Sequence, residues 1–317
     1  MSTLSGSLHP SHPTRNRLTE RLAAELTRAA SAQSYYTIRY LADRDRVADA
    51  YRAYAYFRWI DDRIDEGVGS AAERAAFLRR QQALVEAGYR GRMPGDLCPE
   101  EQLLADLVAG DEEPASGLRA YLDNMMAVMA FDLERRGRLI SAVELDRYVD
   151  LLATGVIEAL LHFIGHNCPA PVGESRAAAV RGACIIHMLR DLIEDCATGY
   201  YNVPAEYLTA HGLTSGLTAN DIGPGDLDHP AFRAWVAGRV ALARDYFREG
   251  RAFISQVGNG RCRLAGRAYI ARFEYVADLI ERDGFRLRAE YPERKSLRAA
   301  LWMGAKTITN YELRITN

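Results

Sequence analysis

The chain lacks most of the features that would place it at a glance. No apolar run is long enough to cross a bilayer. The most apolar stretch, Leu151 to Gly165, is interrupted by Thr154, Glu158 and His162 and falls short of the ~20 residues that a spanning helix needs. Five cysteines, at 98, 168, 184, 196 and 262, form no CxxC pair and no metal-ligand spacing. An odd, scattered set of this kind reads as reduced thiols in a cytoplasmic protein, not as a disulfide framework. Neither sign of charge dominates: 40 basic against 42 acidic residues leave a net charge of −2, which gives no reason to expect nucleic acid as a partner. Alternating runs of the strand type are nearly absent, and there is no internal repeat beyond the two aspartate segments described next. Gly258-x-Gly260 follows no strand, so no dinucleotide-binding turn is indicated. His162 and His166 are four apart, but no Glu follows the first as a zinc-protease motif requires, and packing accounts for them. The first fifteen residues are rich in Ser, Pro and His without an apolar core, and are expected to be a flexible tail, not a secretory signal.

What remains is helical periodicity and carboxylates. Apolar residues make up 48% of the 317 residues and charged ones 26%, a globular balance. Helices are expected at about 18–30, from 34, and at 44–65, 71–87, 101–109, 115–134, 143–164, 174–197, 231–256, 261–282 and 294–314. Breaks are expected at Gly67-Val68-Gly69, 88–99, Pro169 and Pro171, 199–204 and 212–230. With no composition shift to support a second domain, residues 16–317 read as one all-α domain. Two aspartate pairs stand out: Asp61 with Asp65, and Asp191 with Asp195, 130 residues further on. The i, i+4 spacing puts both carboxylates of a pair on one helix face, with Cβ atoms roughly 6 Å apart. Hard oxygen donors so placed suit magnesium, which takes one or two carboxylates plus phosphate oxygens and water. A single DxxxD is usually a solvated face. These two sit in apolar and aromatic helices with Arg58 and Arg190 beside them, and unpaired charge in such surroundings is costly. Facing each other across a cavity, the pairs would hold a diphosphate.

Ser34-Tyr35-Tyr36, the run YRAYAYFRWIDDRIDEG from Tyr51 to Gly67, and HMLRDLIEDCATGYYNVPAEYL from His187 to Leu208 resemble the signatures of the squalene/phytoene synthase family. FDLE (131–134), Tyr148 with Ala153 and Val156, and the tail from Tyr269 through Phe285 to Lys295 are similar to further segments of it. The resemblance implies an isoprenoid synthase fold with helices around a central cavity. It implies magnesium-assisted head-to-head transfer between two prenyl diphosphates of C15 or C20 length, with metal ligands at Asp61, Asp65, Asp191 and Asp195. It also implies substrate contacts at Ser34, Tyr35, Tyr54, Arg58, Cys184, His187 and Arg190, and a catalytic role for Tyr148. With Phe57, the tyrosines at 35, 54 and 148 would line a dry cavity whose ring faces tolerate an allylic cation. NADPH use is possible but not indicated, and release of a lipid product suggests peripheral membrane contact.

The chain departs from the family pattern at Cys184 and His187, where Gln and Asn are usual, and at Ile157, where Gly is. Tyr200 and Asn202 stand where a G-R-x-Y-L-P run places Arg and Tyr. These departures leave open a class I terpene synthase acting on one prenyl diphosphate. A non-catalytic assembly or binding relative is a further alternative.

Overall fold

A computed structural model describes residues 13–65, 69–113, 115–166, 168, 170–213 and 224–312. Those residues form helices and turns with no strand, so the all-α class holds. The expected flexible tail up to residue 12, the breaks at Gly67, Val68 and Pro169, and residues 214–223 of the expected loop lie outside the described residues. No described helix is long and apolar enough to cross a membrane.

The helices gather into two compact units, Met1–Pro114 and Ala115–Asn317. The first contains α1 (Pro13–Ala30), α2 (Ala32–Leu41), α3 (Val47–Asp65), α4 (Ala71–Tyr89) and α5 (Pro99–Ala109). Helix α3 begins at Val47 and not near Arg44, because Arg46 N–H first closes a turn on the Asp43 carbonyl at 2.8 Å. Its buried side chains, among them Tyr51, Tyr56, Phe57, Ile60 and Ile64, pack toward α1 and α5. A polar network fixes α3 against α4 and α5. Tyr56 donates to Gln81 Oε1 at 3.0 Å, and Gln81 Nε2 donates to Glu101 Oε1 at 3.0 Å. Arg80 bonds both Glu101 oxygens, at 2.7 and 2.9 Å. Gln81 and Tyr56 are fully buried, so each polar atom there needs such a partner. Ser70 starts α4 with a reciprocal cap on Glu73.

The second unit contains α6 (Gly117–Arg135), α7 (Ala142–Phe163), α8 (Ala178–Ala197), α9 (Ala205–Ala210), α10 (Pro224–Asp228), α11 (Pro230–Gln256), α12 (Gly260–Arg282) and α13 (Leu297–Glu312). The short α9 and α10 fall in or beside expected breaks, and the starts of the helices expected at 174–197 and 294–314 are instead 3-10 turns, Glu174–Ala177 and Pro292–Lys295; three of these four begin at or directly after a proline. Helices α8 and α11 approach closely at two glycines. A Cβ on Gly182 would lie 2.8 Å from Phe247 Cε1, and one on Gly250 would lie 2.6 Å from Ala179 Cβ. The core of this unit gathers around Ile186, Leu189, Phe232, Val236, Phe247, Ile280 and their neighbours.

Two backbone bonds bring the end of α8 to the α6–α7 connection. Gly137 N–H donates to the Gly199 carbonyl at 2.8 Å, and Ala205 N–H donates to the Ile140 carbonyl at 2.8 Å. Both glycines have positive φ, 80° and 91°, a conformation glycine adopts without steric penalty. Gly199 terminates α8, where Tyr200 N–H turns back to the Asp195 carbonyl at 2.8 Å.

Candidate active site

Helix α8 is apolar on its inner side, where Ala183, Cys184, Ile186, Leu189 and Cys196 are buried, and carries Asp191 and Asp195 half-buried on another face. Asp191 is held by its own helix. Arg190 Nε donates to Oδ1 at 2.5 Å and Arg190 Nη2 donates to Oδ2, which also lies 2.9 Å from His187 Nε2. Burial works against its charge, but the bonds from Arg190 and His187 outweigh it and hold the carboxyl well below the usual range. Asp195 behaves oppositely. Burial first, then the adjacent Asp191 charge, push its carboxyl up to about 7, with Arg135 opposing. The pair is therefore unequal, with one firm anion and one carboxyl poised near neutrality.

Asp195 is reached from outside its helix. Asn202, in the segment after α8, donates Nδ2–H to Asp195 Oδ2 at 2.8 Å and accepts from Arg135 Nη1 at 2.6 Å. Arg135, at the end of α6, also donates Nε–H to Asp132 Oδ1 at 2.6 Å. Its guanidinium lies 4.5 Å from the ring centre of Tyr148 and 4.9 Å from that of Tyr200, within cation–π range of both. Tyr148 donates its hydroxyl to Asp132 Oδ2 at 3.2 Å; burial and then the Asp132 charge raise that hydroxyl well above its ordinary value, so it remains a donor. Asp132, Arg135 and Asn202 were not singled out from sequence as site residues. The available signal was an Asp–Arg pair at i, i+3 closing the apolar run of α6.

The other sequence-predicted residues of this unit sit close by or in the core. Cys184 is buried against Val149, Ala153, Ile157, Ala177 and Val180, and burial pushes its thiol up to about 12. Ile157 lines a small apolar cavity of about 30 Å³ together with Leu161, Phe253 and Tyr269. His187 is more than half exposed, with its Nε2 on Asp191.

In the first unit, Tyr54, Arg58, Asp61, Asp62 and Asp65 share the less buried face of α3. Arg58 bonds Asp62 and lies 3.1 Å from Asp61 Oδ2, while Asp65 is exposed. These carboxylates are thus accessible, whereas the apolar neighbours that flank them in sequence point into the core. Tyr35 stacks on Tyr51 with ring centres 5.2 Å apart, and its carbonyl accepts from the Tyr51 hydroxyl at 3.1 Å. Ser34 N–H is capped by Ser31 Oγ at 3.1 Å, which starts α2.

The sequence model of the squalene/phytoene synthase family matches residues 27–300. The chain belongs to that family. Among curated squalene/phytoene synthase relatives, the presqualene diphosphate synthase of Zymomonas mobilis subsp. mobilis is 28% identical over 191 residues, 60% of this chain and 62% of that protein. The presqualene diphosphate synthase of Rhodopseudomonas palustris is 25% identical over 187 residues, 59% of this chain and 63% of that one. The chain thus spans less than two thirds of the length of either. Of solved structures, squalene synthase HpnC from Alicyclobacillus acidocaldarius superposes with a TM-score of 0.69 at 20% identity, covering 88% of this chain and 98% of that one. A dehydrosqualene synthase in complex with ligand superposes with a TM-score of 0.71 at 15% identity, covering 96% and 99%. At these identities the two structures establish the isoprenoid synthase fold of the family.

Proposed function

We propose that this enzyme joins two prenyl diphosphates head-to-head, with magnesium-assisted departure of diphosphate from the first. The observation that carries the reading is the carboxylate pair on α8, Asp191 held by Arg190 and His187 and Asp195 held by Asn202, in a chain that the family model matches over residues 27–300. The donor set fits a hard cation. The offered atoms are carboxylate oxygens, the Cys184 thiol is buried and protonated, and the His187 Nε2 is directed at Asp191. Among the described residues no three acidic, histidine or cysteine side chains converge on one point, so a cation here would complete its shell with phosphate and water. Asp191 and Asp195 would hold it on α8, and Asp61 and Asp65 offer a second pair of the same kind on α3. Bound there, magnesium supplies charge neutralisation for the departing diphosphate.

The chain's own residues do the rest. Arg58 and Arg190, now paired with carboxylates, would donate to phosphate oxygens. The first prenyl C–O bond breaks, the double bond of the second substrate supplies an electron pair to the allylic carbon, and loss of one proton closes a cyclopropane. One diphosphate leaves and one stays. This outcome needs no reductant, and the curated relatives are named for such a product.

The test is incubation with C15 and C20 prenyl diphosphates and magnesium, with and without NADPH, followed by extraction of products. A coupled product that retains diphosphate without NADPH supports the reading. Alcohols or cyclic terpenes from a single prenyl diphosphate would overturn it in favour of terpene synthase chemistry.

A further inference from the structure

Within α8, Asp191 needs nothing from elsewhere, since Arg190 and His187 on the same helix hold both of its oxygens. Asp195 has no such local partner. Its side-chain bond comes from Asn202, seven residues on and beyond the Gly199 turn. Asn202 is 3% exposed and Arg135 is 4% exposed, so their polar atoms rely on each other and not on bulk water.

A carboxamide has one acceptor and two donors, and which way it faces is set by its neighbours. Arginine only donates. Arg135 Nη1, 2.6 Å away, can therefore be met only by Asn202 Oδ1, which turns Nδ2 toward Asp195 Oδ2. Arg135 in turn has little freedom. Asp132 accepts its Nε–H, and the Tyr148 and Tyr200 rings lie either side at 4.5 and 4.9 Å. Tyr148 also bonds Asp132, so the series runs Tyr148 to Asp132, Arg135, Asn202 and Asp195 across α6, α7, α8 and the segment after it.

We infer that Asn202, locked in orientation by Arg135, is a positioning residue that aims the Asp195 carboxylate. Engaging Oδ2 stops rotation of the carboxylate and leaves Oδ1 as the oxygen offered to a cation. A buried amide could equally satisfy a backbone carbonyl; directing its donor at a half-buried carboxylate is what distinguishes this arrangement from ordinary packing. The assignment rests on the metal–diphosphate reading of the α8 pair.

The experiment is calorimetric titration of the full-length protein with magnesium and inorganic diphosphate. Asn202→Leu, similar in volume and without hydrogen bonds, is expected to weaken binding about 10–100-fold, the usual effect of removing an outer partner of a metal ligand. Asn202→Gln, which keeps the amide, is expected to recover most of that loss. Equal binding by wild type and Asn202→Leu overturns the assignment while leaving the metal reading intact. Equal weakening in the Leu and Gln variants also overturns it, because packing would then be the role of Asn202. Absence of binding by the wild type overturns both. If Asn202→Leu loses its helical circular dichroism, Arg135→Lys decides: it keeps the charge between the rings but not the fork to both partners. Weakening by about tenfold in a folded protein supports the assignment, and unchanged binding overturns it.

Discussion

Replacing Asp195 with Asn should make the metal-free protein more stable at pH 8, although it removes a proposed ligand. Folding carries this carboxyl from an ordinary 3.8 to about 7, so the folded state prefers it protonated. Between those values the folded protein holds a proton that the unfolded chain has released, and stability falls as pH rises. Above 7 the whole penalty is present. At about 1.36 kcal/mol per pH unit the ceiling is about 4 kcal/mol, and partial exposure to water reduces the realistic figure to on the order of 2 kcal/mol. Asn is nearly isosteric, and its amide oxygen can still accept from Asn202 Nδ2. The gain of Asp195→Asn should therefore be about two fifths of its full value at pH 5 and reach that value by pH 8. Asp191→Asn has the opposite sign. Its carboxyl is depressed by Arg190 and His187, so it stabilises the fold at all pH above the ordinary carboxyl range, and its loss should cost about 2 kcal/mol at pH 8. Urea melts at pH 5 and pH 8 in the presence of a chelator measure both variants. A destabilised Asp195→Asn at pH 8, or a gain that does not grow with pH, would refute the unequal pair.

Further outcomes are expected. Magnesium with inorganic diphosphate at 100 times its Kd should stabilise the wild type by about 2.7 kcal/mol through mass action, and an unchanged melting temperature would count heavily against the site. Asp61→Asn and Asp191→Asn should each lower turnover by roughly 100–1000-fold with helical circular dichroism intact; near-normal turnover in both would remove the aspartate pairs from the mechanism. Gly250→Ala places a methyl 2.6 Å from Ala179 Cβ and should cost about 1–3 kcal/mol as α8 and α11 separate, measured by urea melts. Ile157→Gly, which empties a site beside the small cavity lined by Leu161, Phe253 and Tyr269, should cost about 3–5 kcal/mol, measured by urea melts.

Helix positions were largely legible because apolar periodicity and glycine or proline breaks act locally. The 71–87, 143–164 and 231–256 expectations lie within two residues of α4, α7 and α11 at either end. The aspartate pairs were legible because i, i+4 spacing is itself a geometric statement. Which carboxylates would be buried was not legible. Asp61 and Asp65 share a run with Phe57 and Ile60, yet a helix turns successive residues to different sides, and these two fall on the accessible one. Nor was the Arg135–Asn202 bond, because its partners are 67 residues apart and meet only through the fold. Tyr200 and Asn202 looked like departures from a pattern. In the folded chain both attach to a single guanidinium that the pattern gave no reason to look for.

The backbone bond between Gly137 and Gly199 makes loop length part of the chemistry. Because the join runs through main-chain atoms, the number of residues in the α6–α7 connection is fixed along with the positive φ of Gly137, the buried Ile140 and the Ser141 cap of α7. Adding or removing one residue there would carry Arg135 out of step with Asn202 while leaving every named side chain in place. A screen of point substitutions would report Gly137, Ile140 and Ser141 but would not reveal that the length itself is constrained. A screen of single-residue insertions and deletions would find it among the least tolerant places in the second unit.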